Sequence, residues 1–306
     1  MTEIFNDYEV KNLSTFKIGG CIKKAAFPDN LTDLIELLKT DEYDLVLGNC
    51  SNVLFSSEYI DKKIIFTKNI TQYFINGRNI NISCGTNGAL IAKECKERCL
   101  SGFEFLIGFP GSFGGMIYMN ASAHKQSISD CFSNANVFDI ANKTIINLKK
   151  EEMNFSYRHS VLSEKKYILL DANFELKNGE KEQINDLMER NLLFRKQYQP
   201  SLKYGNAGSI FKNPDNDSAG RLLDLSHMKG VSENDALVYE KHANFIINTG
   251  DATSLDVIKL MYKMYTSVKE KYTIRLKPEI KYIGNYGTEE YKLWEIMIED
   301  LTNQPK

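Results

Sequence analysis

Glycine is concentrated in the segment Gly108–Gly115, which reads GFPGSFGG. The whole chain has only 19 glycines in 306 residues, so this segment is far richer in glycine than its surroundings. Because glycine lacks a Cβ atom, such a segment can turn sharply and bring its backbone N–H groups close to a bulky ligand. It follows the apolar stretch Phe103–Ile107. The pattern favours a buried loop that grips a ligand, with a purely structural turn as the alternative.

A second loop, Gly48–Asn52 with the sequence GNCSN, lies between two short apolar stretches. Its backbone amides and serine hydroxyl suit a pyrophosphate, and an ordinary hairpin is the alternative. The loop is not a G-x-G-x-x-G sequence that opens a helix, so a Rossmann site is disfavoured. The chain also lacks G-x-x-x-x-G-K-[ST], which argues against the commonest class of nucleotide triphosphatase.

Charge and hydropathy limit the partners of this chain. The 38 Lys and Arg against 40 Asp and Glu give a net charge of −2, which disfavours nucleic acid and anionic membranes. The opening MTEIFNDYEV has acids but no base, so it is not a signal peptide, and no segment approaches the length of a spanning helix. We therefore expect a cytoplasmic protein that binds neither nucleic acid nor a membrane.

Six cysteines are scattered without a C-x-x-C pair, so they are expected to be small buried side chains. Cys95 and Cys99 lie one helical turn apart and could bind zinc together with His124 or His159. Closed zinc sites usually have two tight ligand pairs, so we expect no metal site.

Hydrophobic periodicity predicts an α+β chain without internal repeats. Predicted helices cover residues 32–39, 87–100, 181–197, 219–228, 254–271 and 288–301. Predicted strands cover residues 45–47, 53–55, 63–67, 80–83, 115–119, 144–148, 167–176, 209–212 and 245–248. The irregular segment 199–206, which contains Pro200 and Gly205, is the expected linker.

Short sequence blocks occur in an order that is typical of one enzyme family. They are Thr15–Gly20, Leu47–Asn52, Gly102–Asn120, Tyr157–Arg158, Ala207–Pro214, Ala219–Leu222, Glu240–Phe245 and Leu276–Glu279. In this order they resemble the bacterial UDP-N-acetylenolpyruvoylglucosamine reductases, which are flavoenzymes of cell-wall synthesis. The resemblance extends from Thr15 to about Gly284.

The resemblance implies an α+β fold with an FAD-binding module of the vanillyl-alcohol-oxidase (PCMH-like) type. This module is expected at residues 1–200, as two α+β lobes, followed by a smaller α+β substrate-binding domain at residues 201–284. Residues 285–306 lie beyond the resemblance, and their apolar spacing predicts an amphipathic helix that packs on the body of the protein, on the flavin module, with a second subunit as the alternative. The short interval between Arg158 and Ser209 resembles the branch of the family that lacks an inserted tyrosine-bearing loop.

The activity implied is NADPH-dependent reduction of the nucleotide sugar UDP-N-acetylglucosamine enolpyruvate to UDP-N-acetylmuramate, with non-covalent FAD, by a monomer or weak dimer. The implied flavin-binding residues are Gly48, Asn49, Cys50, Ser51, Asn52, Gly108, Pro110, Gly111, Ser112, Gly114, Gly115, Asn120 and Ala121. The substrate-binding candidates are Tyr157, Lys203, Lys212, Asn213 and His242.

Three residues are the catalytic candidates. Arg158 suits a carboxylate, since a guanidinium can donate two parallel hydrogen bonds to it. By resemblance, Ser209 is the proton donor and Glu279 is the acid partner. A serine hydroxyl is a weak acid, so a nearby cation must stabilise its alkoxide, and Lys212 or Arg158 could do so.

The chain departs from the family pattern at several positions. Asn49 and Cys50 replace the usual glycines of the flavin loop, and Ser122, His124 and Tyr239 are also unusual. A left-handed backbone at Asn49 would be tolerated, because asparagine accepts that conformation well. Cys50 could be a packed thiol, a redox-sensitive thiol or a site of covalent flavin attachment. Two other functions stay open: a flavin oxidase that acts on another alcohol or sugar, and a catalytically inactive protein that binds flavin or a nucleotide sugar.

Overall fold

The computed structural model describes residues 2–201 and 203–299, which divide into two compact units. The first unit contains the residues up to Phe5, Lys24–Asn49 and Lys62–Arg195. The second contains Asn6–Lys23, Cys50–Asp61 and the residues from Lys196 onward. The last change, from the first unit to the second, falls between Arg195 and Lys196, just before the expected linker at residues 199–206.

The helices of the described residues are α1 (Leu31–Lys39), α2 (Gly88–Glu97), α3 (Phe113–Tyr118), α4 (Lys181–Tyr198), α5 (Ala219–Leu225), α6 (Ser254–Tyr272) and α7 (Glu289–Glu299). The strands are β1 (Glu3–Glu9), β2 (Cys21–Phe27), β3 (Leu45–Leu47), β4 (Val53–Phe55), β5 (Ile60–Phe66), β6 (Tyr73–Asn76), β7 (Asn79–Ser83), β8 (Leu100–Ser101), β9 (Ser122–Ala123), β10 (Gln126–Ser127), β11 (Phe132–Asp139), β12 (Thr144–Lys149), β13 (Tyr167–Glu175), β14 (Lys177–Asn178), β15 (Ser232–Glu233), β16 (Ala236–Val238), β17 (Ile246–Asn248) and β18 (Lys281–Ile283).

Side-chain caps explain where several predicted helices begin. The Asn30 side chain accepts a hydrogen bond from the backbone of α1, and Asn87 does the same for α2. Helix α6 starts with a capping box in which Thr253 and Asp256 each bind the other's backbone N–H group. Such caps satisfy donors that have no partner inside the helix.

Two predicted strands are wrong. Residues 115–119 belong mostly to helix α3, because Phe113, Met116 and Ile117 recur at helical spacing and are all buried. Residues 209–212 form no strand, since only Phe211 makes an isolated antiparallel bridge, to Pro278. The short glycine-rich helix was hidden by the β-like composition of the segment.

The core of the first unit lies against a five-stranded antiparallel sheet in the order β12-β11-β13-β7-β6. Phe103, Phe113 and Phe174 pack edge to face in this core, with ring centroids 5.2–5.7 Å apart. Strand β3 runs parallel to β5, with Leu45 opposite Ile64, in a sheet ordered β1-β2-β5-β3. The loops that follow β3 and precede α3 are thus attached to a well-packed core.

The second unit has its own core, formed by α5, α6, α7 and the sheet β15-β16-β17. Strand β4 pairs in parallel with β18, with Val53 opposite Lys281. The hydroxyl of Thr15 also binds the carbonyl of Asn206 at 2.8 Å. These contacts explain why two early segments group with the C-terminal residues and not with the rest of the predicted 1–200 module.

Helix α7 packs against α6 within the second unit, which also contains residues 6–23 and 50–61 of the predicted flavin module. Trp294 and Met297 are buried in the second core. The buried carboxylate of Glu290 accepts hydrogen bonds from the hydroxyls of Ser254 and Tyr282, which fixes the start of the helix. Residues 300–306 of the predicted C-terminal segment lie outside the described residues.

Candidate functional site

The two predicted ligand loops meet in the first unit. The Asn49 side chain donates a hydrogen bond from Nδ2 to the carbonyl of Pro110 at 3.1 Å. A Cβ atom on Gly48 would lie only 2.0 Å from Oγ of Ser112, so no larger residue fits there without movement. The structure therefore brings Gly48 and Asn49 against the glycine-rich segment, although the two loops lie 60 residues apart in the chain.

Ser112 is the N-terminal cap residue of α3 and is almost completely buried. Its Oγ has no hydrogen-bond partner among the described residues. Buried hydroxyls normally have a partner, so this one is suited to a polar ligand. Gly108 begins the segment with φ +78°, a conformation that glycine adopts without strain.

These features fit a flavin dinucleotide. A pyrophosphate needs polar groups and close approach of the backbone, and the side-chain-free Gly48 beside the orphaned hydroxyl of Ser112 provides both. The segment continues through Pro110 and Gly111 to α3. Gly114 and Gly115 both lie in the first turn of this helix, and Gly115 is exposed.

Asn120 and Ala121 follow α3, and their groups are largely engaged by the protein. The Asn120 side chain donates to the carbonyl of Ser156 at 3.0 Å and accepts from the N–H of Ser129 at 3.3 Å. Ala121 is buried, and its N–H binds the carbonyl of Met116. Asn120 thereby joins the end of α3 to the turn that carries Arg158.

The remaining loop residues lie in the second unit. Cys50 is buried and has φ +49°, so the left-handed residue of the loop is Cys50 and not Asn49. The Asn52 side chain donates to the carbonyl of Glu279 at 3.1 Å, and its own carbonyl accepts from the N–H of Lys281 at 2.9 Å. Ser51, between Cys50 and Asn52 in the chain, is half-buried.

Arg158 lies in a tight turn of the first unit. Ser156 and His159 exchange two backbone hydrogen bonds of 3.2 Å, and Arg158 has φ +54° between them. The guanidinium carbon lies 5.2 Å from the centroid of the exposed Tyr157 ring. Nη1 donates to Oγ of Ser122 at 2.8 Å. The ring face and the serine hydroxyl both restrain this guanidinium, a group that can bind a carboxylate through two hydrogen bonds.

Ser209 and Glu279 lie on bonded segments of the second unit. The N–H of Glu279 donates to the carbonyl of Ile210 at 2.7 Å, and the N–H of Lys212 donates to the carbonyl of Lys277 at 2.8 Å. Asn244 holds the same segment, because its side chain exchanges hydrogen bonds with both backbone groups of Phe211. Ser209 is half-buried and Glu279 is buried.

The other substrate-binding candidates of the second unit have different surroundings. Lys203 is exposed, and the side-chain oxygen of Asn213 accepts from the N–H of Ala219 at 3.1 Å. Nδ1 of His242 accepts from the N–H of Asn244 at 3.2 Å, which leaves Nε2 to carry the proton of the neutral ring. Burial lowers the pKa of His242, so the neutral form is favoured.

Sequence reasoning missed Ser122 as a partner of Arg158 and Asn52 as a partner of Glu279. Both pairs are distant in the chain, so no local spacing could reveal them. The only signal for Ser122 was its departure from the family pattern. Within residues 2–201 and 203–299, no group of three or more His, Cys, Asp or Glu side chains could hold a metal ion. In the same ranges, no helix is both long and apolar enough to cross a membrane.

A solved structure defines the fold class. The crystal structure of UDP-N-acetylenolpyruvylglucosamine reductase (MurB) from Thermus caldophilus matches with a TM-score of 0.78 and 30% sequence identity, over 92% of this chain and 98% of that chain. The chain thus has the α+β fold of a flavin-dependent oxidoreductase, as predicted.

Sequence relatives identify the family. The reductase of the same name from Caldicellulosiruptor bescii is 42% identical over 94% of this chain and 92% of its own length. That from Caldicellulosiruptor saccharolyticus is 40% identical over 94% of both. A family model described as UDP-N-acetylenolpyruvoylglucosamine reductase, C-terminal domain, matches residues 199–283. The chain belongs to the UDP-N-acetylenolpyruvoylglucosamine reductase family, which confirms the resemblance found in the sequence.

Proposed function

We propose that this chain uses NADPH and non-covalent FAD to reduce UDP-N-acetylglucosamine enolpyruvate to UDP-N-acetylmuramate, a precursor of peptidoglycan. The observation that carries the proposal is the 2.7 Å backbone hydrogen bond from Glu279 to Ile210, which joins the segment of the proposed acid to that of Ser209. It occurs in a chain that is 42% identical over nearly its whole length to a reductase of this name.

The proposed flavin-binding residues are Gly48–Asn52, Gly108, Pro110–Ser112, Gly114, Gly115, Asn120 and Ala121. The buried hydroxyl of Ser112 supports this assignment, as does the absence of room for a side chain at Gly48. When bound, FAD would accept hydride from NADPH and deliver it to the methylene carbon of the enolpyruvyl group. The protein must orient the enolpyruvyl group for this transfer. It must also stabilise the negative charge that builds on the carboxylate and supply one proton.

Arg158 binds the carboxylate of the enolpyruvyl group in this proposal. Negative charge grows on that carboxylate as the adjacent carbon gains electrons, so a fixed guanidinium stabilises the transition state more than the ground state. The turn at residues 156–159 and the contact with Tyr157 support this role, because they restrict the side chain before substrate binds.

Ser209 supplies the proton in this proposal, through its Oγ, to the carbon next to the carboxylate. The hydroxyl needs a neighbouring cation to stabilise the resulting alkoxide, and Lys212 is the candidate on the same segment. Glu279, which is buried, acts as the acid partner in this proposal.

The proposed substrate-binding residues are Tyr157, Lys203, Lys212, Asn213 and His242. Among them, Lys203 and His242 are the candidates for the UDP diphosphate, and Asn213 is the candidate that orients the substrate. The protonated Nε2 expected for neutral His242 would donate a hydrogen bond to a phosphate without adding charge. All six cysteines are free, which supports a reducing, cytoplasmic location. We also propose that the protein is a monomer or weak dimer.

The test follows the visible spectrum of the purified protein without oxygen. The wild type should be yellow, lose its colour with NADPH and regain it with the enolpyruvyl substrate. Ser209→Ala should keep the first step and slow the second about 100-fold or more, as expected for loss of a general acid. Ser267→Ala, which removes a hydroxyl bonded within α6, is the matched control and should behave as wild type.

Each failure points to a different conclusion. A protein that is yellow but stays bleached with the substrate would favour the flavin oxidase. A protein that takes up no FAD would favour the inactive binding protein. Equal rates for Ser209→Ala and wild type in both steps would remove Ser209 from the proton-transfer role.

A further inference from the structure

A strained hairpin lies next to Arg158. Strands β9 and β10 pair with Ala123 opposite Gln126, so His124 and Lys125 form the two-residue loop. Their φ angles are +52° and +65°. Two successive left-handed residues in such a loop are normally asparagine and glycine, because other side chains are disfavoured in this conformation. A backbone of this kind persists only where its surroundings hold it.

The surroundings of the hairpin do hold it. The rings of His124 and of Phe194 in α4 pack edge to face, with their centroids 5.3 Å apart. Nε2 of Gln126 donates to Oε2 of the buried Glu104 at 3.1 Å, and the same oxygen accepts from the N–H of Gly102 at 2.9 Å. The hairpin is thus fixed at its tip and on its second strand.

The first strand of the hairpin presents Ser122 to Arg158. Oγ of Ser122 accepts the 2.8 Å hydrogen bond from Nη1, while the Tyr157 ring lies beside the same guanidinium. Arg158 also has a left-handed backbone, at φ +54°. The hydrogen bond between Arg158 and Ser122 therefore connects the turn at residues 156–159 to the hairpin whose loop is residues 124–125.

We propose that Ser122 is a positioning residue, whose hydroxyl fixes the guanidinium of Arg158 in the orientation that receives the substrate carboxylate. The proposal rests on the proposed function, because it takes the binding of that carboxylate by Arg158 as given. A serine oxygen accepts a hydrogen bond without bringing negative charge, so this contact orients the guanidinium without itself neutralising it. A long arginine side chain that is already fixed loses less conformational freedom when the substrate binds.

The test compares Ser122→Ala with Ser122→Thr, which keeps the hydroxyl. Loss of one hydrogen bond to a charged group should slow recovery of colour with the enolpyruvyl substrate about tenfold and leave bleaching by NADPH unchanged. The threonine variant should recover to within about threefold of wild type. Ser129→Ala, whose hydroxyl contacts Ser127 and not Arg158, is the matched control and should match wild type.

A double-variant cycle tests whether Ser122 acts through Arg158. In an Arg158→Ala background, Ser122→Ala should change the substrate step by less than about twofold, because the group that it positions is absent. A full tenfold effect in that background would overturn the proposal. So would equal slowing of both steps together with a lowered melting temperature, which indicates a purely structural role.

The failure of this proposal and that of the proposed function are distinguishable. If wild type regains its colour with substrate and Ser122→Ala does so equally fast, only the positioning role is overturned. If the wild type itself does not react with the enolpyruvyl substrate, the proposed function is overturned, and the role of Ser122 with it.

Discussion

Gly48→Ala tests the contact between the two ligand loops. The added Cβ would lie 2.0 Å from Oγ of Ser112 and 3.2 Å from its Cβ, so the first distance is roughly 1.5 Å short of van der Waals contact. Ser112 is buried, so its hydroxyl cannot simply turn into solvent. We expect the overpacking to lower the free energy of unfolding by about 1–3 kcal/mol. The melting temperature should then fall by roughly 3–10 °C in the absence of FAD.

The second substitution Ser112→Ala should relieve most of this loss. It removes Oγ, the atom that would be overlapped, and leaves only the 3.2 Å contact with Cβ, which small shifts can accommodate. Ser112→Ala alone should leave the FAD-free protein as stable as wild type, because its Oγ has no hydrogen-bond partner among the described residues. The double variant should therefore be more stable than Gly48→Ala by about 1–2 kcal/mol.

Thermal unfolding of the FAD-free protein, followed by circular dichroism, measures the stability of wild type, the two single variants and the double variant. Gly115→Ala is the matched control, since its added Cβ would have no atom closer than 3.9 Å. It should unfold at the wild-type temperature or slightly above it, because alanine favours a helix. A Gly48→Ala protein that melts within 1 °C of wild type, or that gains nothing from Ser112→Ala, would refute the contact.

Two further predictions concern the second unit. Glu290→Ala should lower the free energy of unfolding by about 3 kcal/mol, since the hydroxyls of the buried Ser254 and the half-buried Tyr282 both lose their acceptor. Urea unfolding followed by fluorescence of Trp294, the single tryptophan, measures this loss, and Glu289→Gln at an exposed ion pair should change it by less than about 1 kcal/mol. Burial lowers the pKa of His242, so the unfolded chain binds the proton more readily, and His242 should destabilise the fold as the pH falls below its unfolded pKa of about 6.5. Melting temperatures from pH 7 to pH 5 should therefore fall less in His242→Gln than in wild type; an equal fall would contradict this prediction.

The sequence predicted the elements with strong local signals. Helix α6 is an example, because its apolar spacing and the capping residues Thr253 and Asp256 are all local. Helix α3 was not predicted, because residues 115–119 have a β-like composition and the helical face of α3 is visible only in its buried residues. The predicted division at residue 200 rested on local linker composition. It could not anticipate that β4 pairs with β18, a contact between distant segments.

The candidate site was predictable in its residues but less so in their conformations. Loop composition located the two glycine-containing loops, and family resemblance located Ser209 and Glu279, while the contact of Gly48 with Ser112 needed the fold. A left-handed backbone would be tolerated at Asn49, yet it is Cys50 that adopts this conformation, with φ +49°. Asn49 instead uses its side chain to bind Pro110, a contact that glycine could not make.

The departures from the family pattern share a physical consequence. Asn49 and Ser122 both carry a polar side chain where the pattern has glycine, and each makes a hydrogen bond between segments that are distant in the chain, at 3.1 Å and 2.8 Å. A polar side chain restricts its loop in two ways, since it removes the extra freedom of glycine in the unfolded chain and adds a contact in the folded one. These substitutions therefore stiffen the loops around the proposed flavin and carboxylate sites. The same side chains also occupy space, so the stiffening is compatible with ligand binding only if they point at protein partners, as both do in this structure.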